Sequence, residues 1–362
     1  MTRKILILYT SVTIGHKSIA ENIGWHLKKA GFDVKLYDAH QVEEGKLAKR
    51  GTKVNEFLML KLPLLWKWLY DSKLFADLTL PLRIKVARKH HQKTLELINK
   101  LSPDVVITTQ VTASGVMAYL KQHNLYKGKF GIAFSDFHFH PYWVYGQADF
   151  FLANIEEQKQ EMVKLRISAH KIFVCGLTLK PKVEVDAQAV KNKFNIQSSQ
   201  KVVLIASGSL GSGIDENLIQ RLSQKPNIRV IAVCGRNKAA FEKLHQKFTH
   251  TSATILGFHS PMDELYAIAD IFLTKPGALS VSEALRFYLP ILITHELPGG
   301  ERHNSDYLLS RRLIMNQTAD VFESAMAELE TGWFKKQLIN NTYLQELFNR
   351  EQEVVKAVSL KA

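Results

Sequence analysis

At 362 residues the chain is too long for one typical core, so two domains are expected. A hydrophobic content of 46% with 23% charged residues excludes a disordered or fibrous chain, and the two cysteines, Cys175 and Cys234, exclude a disulfide framework and fit a reducing cytoplasm. The net charge of +14 favours an anionic partner, whether nucleotide, nucleic acid or anionic membrane, and no apolar run reaches the roughly 18 residues of a spanning helix.

The N-terminus has too short an apolar run for a signal peptide and continues as a buried strand, Lys4 to Tyr9. Ile19, Ile23, His26 and Leu27 then recur at helical spacing, and Gly31 stops the helix. FDVKLYD is a second strand, so the chain opens as a doubly wound sheet. The loop between Tyr9 and Ser18 stands at the carboxyl end of the first strand, where open α/β sheets bind ligands. It carries Gly15 and His16 but not GxGxxG, so it is no dinucleotide fingerprint.

From Val54 to Lys100 the sequence is apolar, aromatic and basic together, broken by Pro63 and Pro81. Trp66, Lys67, Trp68, Arg83, Lys85, Arg88 and Lys89 have the interleaving that suits an interfacial helix on anionic lipid. A helical hairpin with its lysines in solvent fits the same pattern. PDVVITTQ is a strand, Thr112 to Gln122 a helix, and KFGIAFSDF a strand ending in Ser135, Asp136 and Phe137. His138, His140 and Trp143 follow. No second cluster completes a ligand set for Asp136 and these histidines, so no metal is expected. Substrate contact or structural hydrogen bonding is the expected role of Asp136 and the histidines.

Lys180, Pro181 and the polar stretch to Gln200 read as a connection between domains. KVVLIASGSLGSGID is then strand and glycine loop. Gly208, Gly211 and Gly213 let backbone approach a ligand, and Asp215 caps a helix. IRVIAVCGRN and SATILGF are strands, and Asp263 is expected to cap the short helix MDELYAIA. Ile271 to Arg286 reads as strand, turn and helix, with Pro276 and Gly277 in the turn, Ser280 as N-cap and Glu283 completing a capping box. Such a helix start suits a diphosphate, and Glu283 could instead turn outward to a ribose hydroxyl. PILITHELPGGERHNSDYLL is a strand, a charged glycine-rich loop and a helix.

These blocks carry a resemblance. TIGHKSIAENI, PDVVITTQ, FSDFHFHPYWV, KIFVCGLTLKP, VCGRN, LGFHSPMDEL, TKPGALSVSEAL and LPGGERHN stand in the order found in glycosyltransferases that make glycolipids from a nucleotide sugar and diacylglycerol. The chain resembles the bacterial processive diacylglycerol glucosyltransferases and the plant monogalactosyldiacylglycerol synthases, with the peptidoglycan N-acetylglucosaminyltransferases more distant. The resemblance implies a GT-B fold: α/β, two Rossmann-like doubly wound domains facing across a cleft. The expected domains are 1–178 for acceptor and membrane, a linker 179–200, 201–325 for the nucleotide sugar, and helices 326–362 packing back on the first domain.

The resemblance implies inverting, metal-independent transfer of a hexose, expected to be glucose, from a UDP-sugar to a diacylglycerol-type lipid. His16 is the implied base or acceptor-orienting group, Asp136 the competing base, with Gly15, His140 and Trp143 on the acceptor side. Glu283 matches the ribose-binding glutamate, and Gly277, Ala278, Leu279 and Ser280 the loop and helix start facing the diphosphate. Glu301 and Asn304 match the loop meeting sugar hydroxyls, Phe258 the position facing the base, and Gly208, Ser209 and Gly235 line the donor site. No cofactor is implied beyond the UDP-hexose itself. The implied partners are UDP-hexose, a diacylglycerol-type lipid and an anionic membrane surface, not nucleic acid, with the protein on the inner face of the cell membrane. The chain departs from the pattern where Thr13 and Ile14 precede Gly15, where Ala278 replaces a second glycine, and where Gly300 stands in place of a glutamine. A polyprenyl-linked or other acceptor, and a UDP-sugar sensor without turnover, are the alternatives.

Overall fold

The computed structural model describes residues 2–10, 14–39, 62, 72–208, 211, 213–296, 299–317, 320–348 and 350–360. The chain divides into two compact units: Met1–Lys180 with Pro298–Gly300 and Glu346–Ala362, and Pro181–Leu297 with Glu301–Gln345. Each is built on one fully parallel sheet.

The sheet of the first unit has β1 (Lys4–Tyr9), β2 (Asp33–Asp38), β3 (Val105–Thr108), β4 (Lys129–Ala133), β5 (Phe150–Ala153) and β6 (Ile172–Val174), in the order β2-β1-β3-β4-β5-β6. Apart from the edge strand β2, DVKLYD, its strands are largely apolar runs because helices cover both faces of a parallel sheet. Ile5 to Leu8, Val105 to Ile107 and Phe150 to Ala153 are all buried. The helices are α1 (Ile14–Lys29), α2 (Lys73–Leu101), α3 (Val111–Gln122) and α4 (Glu156–Lys164).

Three expectations change here. Helix α1 begins at Ile14, so Gly15 and His16 lie in its first turn and not in a loop reaching Ser18. Helix α2 runs through Pro81 without breaking. Pro81 is exposed, so the carbonyl it leaves unpaired one turn back can face water. Strand β4 stops at Ala133, placing Ser135 to Phe137 in the following loop.

The second unit orders β7 (Lys201–Ala206), β8 (Ile228–Val233), β9 (Ala253–Leu256), β10 (Ile271–Thr274) and β11 (Ile291–Ile293) as β11-β10-β7-β8-β9. Its helices are α5 (Ala187–Lys193), α6 (Glu216–Ser223), α7 (Lys238–Phe248), α8 (Asp263–Ile268), α9 (Ala278–Leu285), α10 (Gly300–Ser310), α11 (Val321–Thr331), α12 (Trp333–Ile339) and α13 (Thr342–Leu347). Asp215 caps α6, accepting from the Asn217 and Leu218 amides at 2.8 and 3.2 Å. Asp263 does not cap α8. It is the first helical residue, and its buried carboxylate accepts from the Val183 amide at 2.7 Å, tying down the entry to this unit. A last helix, α14 (Gln352–Ser359), packs on β6 and α1 of the first unit through Val354, Ala357 and Val358.

Gly131 of β4 stands opposite Phe150 of β5, and a Cβ there would lie 2.2 Å from the Phe150 ring. Gly131→Ala is expected to lower stability by about 1–3 kcal/mol, the cost of overpacking a filled core. An unchanged denaturation midpoint would show that Phe150 can swing aside.

Candidate active site

Open α/β sheets bind ligands where strand order reverses, because the two loops leaving the carboxyl edge there diverge and open a crevice. The reversal falls between β1 and β3 in the first unit and between β7 and β10 in the second.

At the first reversal, Thr109 follows β3 and donates its hydroxyl to the His16 carbonyl at 3.1 Å, joining the segment after β3 to the first turn of α1. The His16 Nδ1 is sealed from solvent without a hydrogen-bond partner. Its ring lies 5.7 Å from Trp143. Burial lowers the His16 pKa below its ordinary 6.5, and the charge of Asp136 opposes the shift. His16 is thus held neutral, able to accept a proton beside a carboxylate that would steady the resulting cation. Gly15 is exposed, and a Cβ would meet nothing within 4 Å, so packing does not demand glycine there.

Asp136 accepts from the Ser135 hydroxyl at 3.0 Å. Its backbone is pinned by two buried amides that the sequence did not single out. Asn154 donates to the carbonyls of Phe134 and Asp136, at 3.2 and 2.8 Å. Gln158 donates to those of Asp136 and His138, at 2.7 and 3.2 Å, and accepts from the Asn154 amide at 2.7 Å. The signal was a pair of amides four residues apart, directly after a buried strand. His140 is buried; its Nδ1 accepts from the Tyr142 amide at 3.1 Å, capping the 3-10 turn Pro141–Trp143.

Arg83 turns away from the basic surface proposed for lipid. It donates to the Tyr142 carbonyl at 2.9 Å and lies over the Tyr142 and Tyr145 rings, so its charge is committed to this turn. Lys85, Arg88 and Lys89 are exposed beside exposed Leu78 and Ile84. Trp66, Lys67 and Trp68 lie outside the described residues.

At the second reversal, Gly208 follows β7 with φ of 68°, and Gly235 follows β8 with φ of 58°. Ser209 lies outside the described residues. Helix α9 is capped by Gly277, not Ser280, because the helix starts three residues earlier than the capping-box pattern suggests. Gly277 has φ of −72°, and a Cβ there would meet nothing within 4 Å. Its glycine leaves open space in front of a helix start, at Ala278, Leu279 and Ser280, that no side chain caps.

Glu283, partly exposed one turn on, lies 3.5 Å from the Tyr266 hydroxyl, which also reaches the Ser280 carbonyl at 3.4 Å. Burial and the Glu283 charge push the Tyr266 pKa well above 10, so it remains a donor. Phe258 is 58% exposed, with the Arg236 guanidinium over its ring at 5.4 Å.

Glu301 and Asn304 lie on α10 and not in a loop. Asn304 is fully buried and donates to the Pro276 carbonyl at 3.2 Å, so it holds the turn and does not face open space. His295, also not singled out, meets the Ser207 hydroxyl at 3.0 Å, and a Cβ on Gly213 would lie 2.5 Å from its ring. Its signal was a histidine two residues past the strand ILI. Among the described residues, no three His, Cys, Asp or Glu side chains are grouped to hold a metal. Nor is any described helix long and apolar enough to cross a membrane.

Residues 53–179 match the monogalactosyldiacylglycerol (MGDG) synthase family, and residues 202–301 the glycosyltransferase family 28 C-terminal domain. A processive diacylglycerol beta-glucosyltransferase of Bacillus pumilus is 25% identical over 339 residues, 89% of this chain and 85% of that protein. One from Bacillus subtilis is 24% identical over 342 residues, covering 90% and 87%. Among solved structures, a UDP-glucosyltransferase from Polygonum tinctorium has a TM-score of 0.63 at 12% identity, covering 100% of both chains. The UDP-GlcNAc 2-epimerase of Neisseria meningitidis, solved with UDP-GlcNAc, has 0.62 at 12%, covering 99% of both. These solved structures share the fold. Two parallel sheets with such neighbours and matches define a glycosyltransferase of GT-B fold. Residues 53–179 and 202–301 carry the signatures of these two families, and the chain is similar to diacylglycerol glucosyltransferases along most of its length.

Two outcomes are expected. Gln158→Ala removes the carboxamide that donates to the Asp136 and His138 carbonyls and should cost about 1–3 kcal/mol, as for buried polar groups left unsatisfied; an unchanged melting temperature would show that the loop is held by other means. Between the lowered His16 pKa and 6.5 the unfolded chain binds more protons than the folded one. The His16 contribution is therefore full above pH 6.5 and lost as pH falls through that window. His16→Asn should flatten the pH dependence of melting there, and an unaltered slope would count against a partly buried, neutral imidazole.

Proposed function

We propose that the protein transfers a hexose, glucose foremost, from a UDP-sugar to the hydroxyl of a diacylglycerol-type lipid. The reading is carried by the match to diacylglycerol glucosyltransferases along nine-tenths of the chain, with the shared motifs at both sheet reversals. The donor would be held by the second unit. Glu283 accepts from the ribose, Phe258 and its neighbouring backbone face the base, and the start of α9 receives the diphosphate. Glu301 reaches the sugar hydroxyls.

The acceptor would be bound by the first unit, with Gly15 leaving room beside His16. Its hydroxyl oxygen attacks the anomeric carbon and forms the new bond with inversion. The bond from that carbon to the diphosphate oxygen breaks, and its electron pair stays on the UDP. The acceptor proton passes to His16, with Asp136 stabilising the imidazolium, or to Asp136 itself. Fixed backbone dipoles take the leaving-group charge, and the reaction requires no metal. Lys85, Arg88 and Lys89 with Leu78 and Ile84 would rest the protein on the anionic inner face of the cell membrane.

The direct test is transfer from radiolabelled UDP-glucose and UDP-galactose with anionic liposomes containing diacylglycerol. Label in the organic phase is expected, with glucose preferred. Label released only as free sugar would overturn the lipid acceptor, and UDP binding without donor consumption would favour a sensor. With His16 as base, kcat/KM should fall as pH drops through its lowered pKa, because only the neutral form accepts a proton. His16→Ala should then cost roughly two to four powers of ten in turnover while sparing UDP affinity. A smaller loss would move the proton to Asp136.

A further inference from the structure

We propose that Lys275 is the cation that meets the departing diphosphate, and that Glu301 is the counter-ion that holds it in position before the donor binds. The proposal rests on the donor reading of the second unit. Lys275 is the first residue after β10, at the reversal with β7. Its Nζ lies 2.5 Å from Glu301 Oε1, with side chains only 27% and 18% exposed. Its Cε stands 3.1 Å from where a Cβ of Gly208 would be, so the lysine lies across the turn that leaves β7. The backbone around it is fixed on both sides: the Gly277 amide donates to the Lys275 carbonyl at 2.8 Å, and Asn304 donates to the Pro276 carbonyl at 3.2 Å. The ammonium is therefore held beside the glycine turn after β7, on a residue three positions ahead of the start of α9 that no side chain caps.

That is where a diphosphate would lie if the helix start receives it. An ammonium has three N–H donors, so Lys275 can keep Glu301 on one and offer others to phosphate oxygens. When the bond between the anomeric carbon and the diphosphate oxygen breaks, the electron pair stays on that oxygen and adds negative charge to the UDP. A half-buried ammonium already in place stabilises that charge without a proton transfer. A lysine serving only to fasten α10 to the β10 turn would make the same ion pair, so the two roles must be separated by ligand.

Calorimetry with uridine and UDP on the full chain separates them. Wild type should bind both. Lys275→Gln should leave uridine affinity within about twofold and weaken UDP roughly ten- to a hundredfold, the effect of one charge-assisted hydrogen bond. Glu301→Gln breaks the same ion pair but keeps the ammonium, so UDP affinity should survive or rise. Equal losses for uridine and UDP in Lys275→Gln would overturn the proposal. So would a loss of UDP affinity in Glu301→Gln as large as in Lys275→Gln, because the pair would then be purely structural. If wild type bound neither ligand, the donor reading itself would fall, and this proposal with it.

Discussion

The structure depends on a reversal of winding in each parallel sheet. A parallel strand must return through a crossover on the sheet face, so the loops at the carboxyl edge fan apart only where the direction of winding changes. In the first unit that place is flanked by the loops after β1 and β3, and in the second by those after β7 and β10. His16 and Thr109 stand at one, and Gly208, Lys275 and Gly277 at the other. The chemistry is placed by topology before any side chain is chosen.

Loops leaving the carboxyl edge lose the ladder hydrogen bonds that hold strands, and buried backbone groups must find other partners. The structure supplies buried carboxamides. Asn154 and Gln158 hold the carbonyls of Phe134, Asp136 and His138, and Asn304 holds that of Pro276. A carboxamide suits this role because it donates without carrying charge into the core. One clamp sits behind the Asp136 loop, the other behind the turn that leads into α9.

Much of this was legible in the sequence. Buried strands, the glycine turn at Gly208 and the Asp215 cap are local, set by residues a few positions apart. His16 and Glu283 likewise fall in the helices that follow β1 and β10. The clamps were not legible, because Asn154 and Gln158 serve a loop some twenty residues upstream and look like ordinary polar residues of strand and helix. His295 and Lys275 were hidden for the same reason, since their partners Ser207 and Glu301 come from distant parts of the chain. Local cap patterns misled twice. Ser280 and Glu283 have capping-box spacing, yet Gly277 opens the helix; Asp263 has the chemistry of a cap, yet it is spent on Val183. Arg83 looked like its basic neighbours until the Tyr142 and Tyr145 rings were placed beneath it.

The division of labour between the two reversals is most directly tested by hydrogen–deuterium exchange with and without saturating UDP. Slower exchange is expected at Gly208, Gly235 and residues 277–283, with residues 14–16 and 135–140 unchanged. Protection centred on 14–16 and 135–140, with none at 277–283, would contradict a donor site on the second unit.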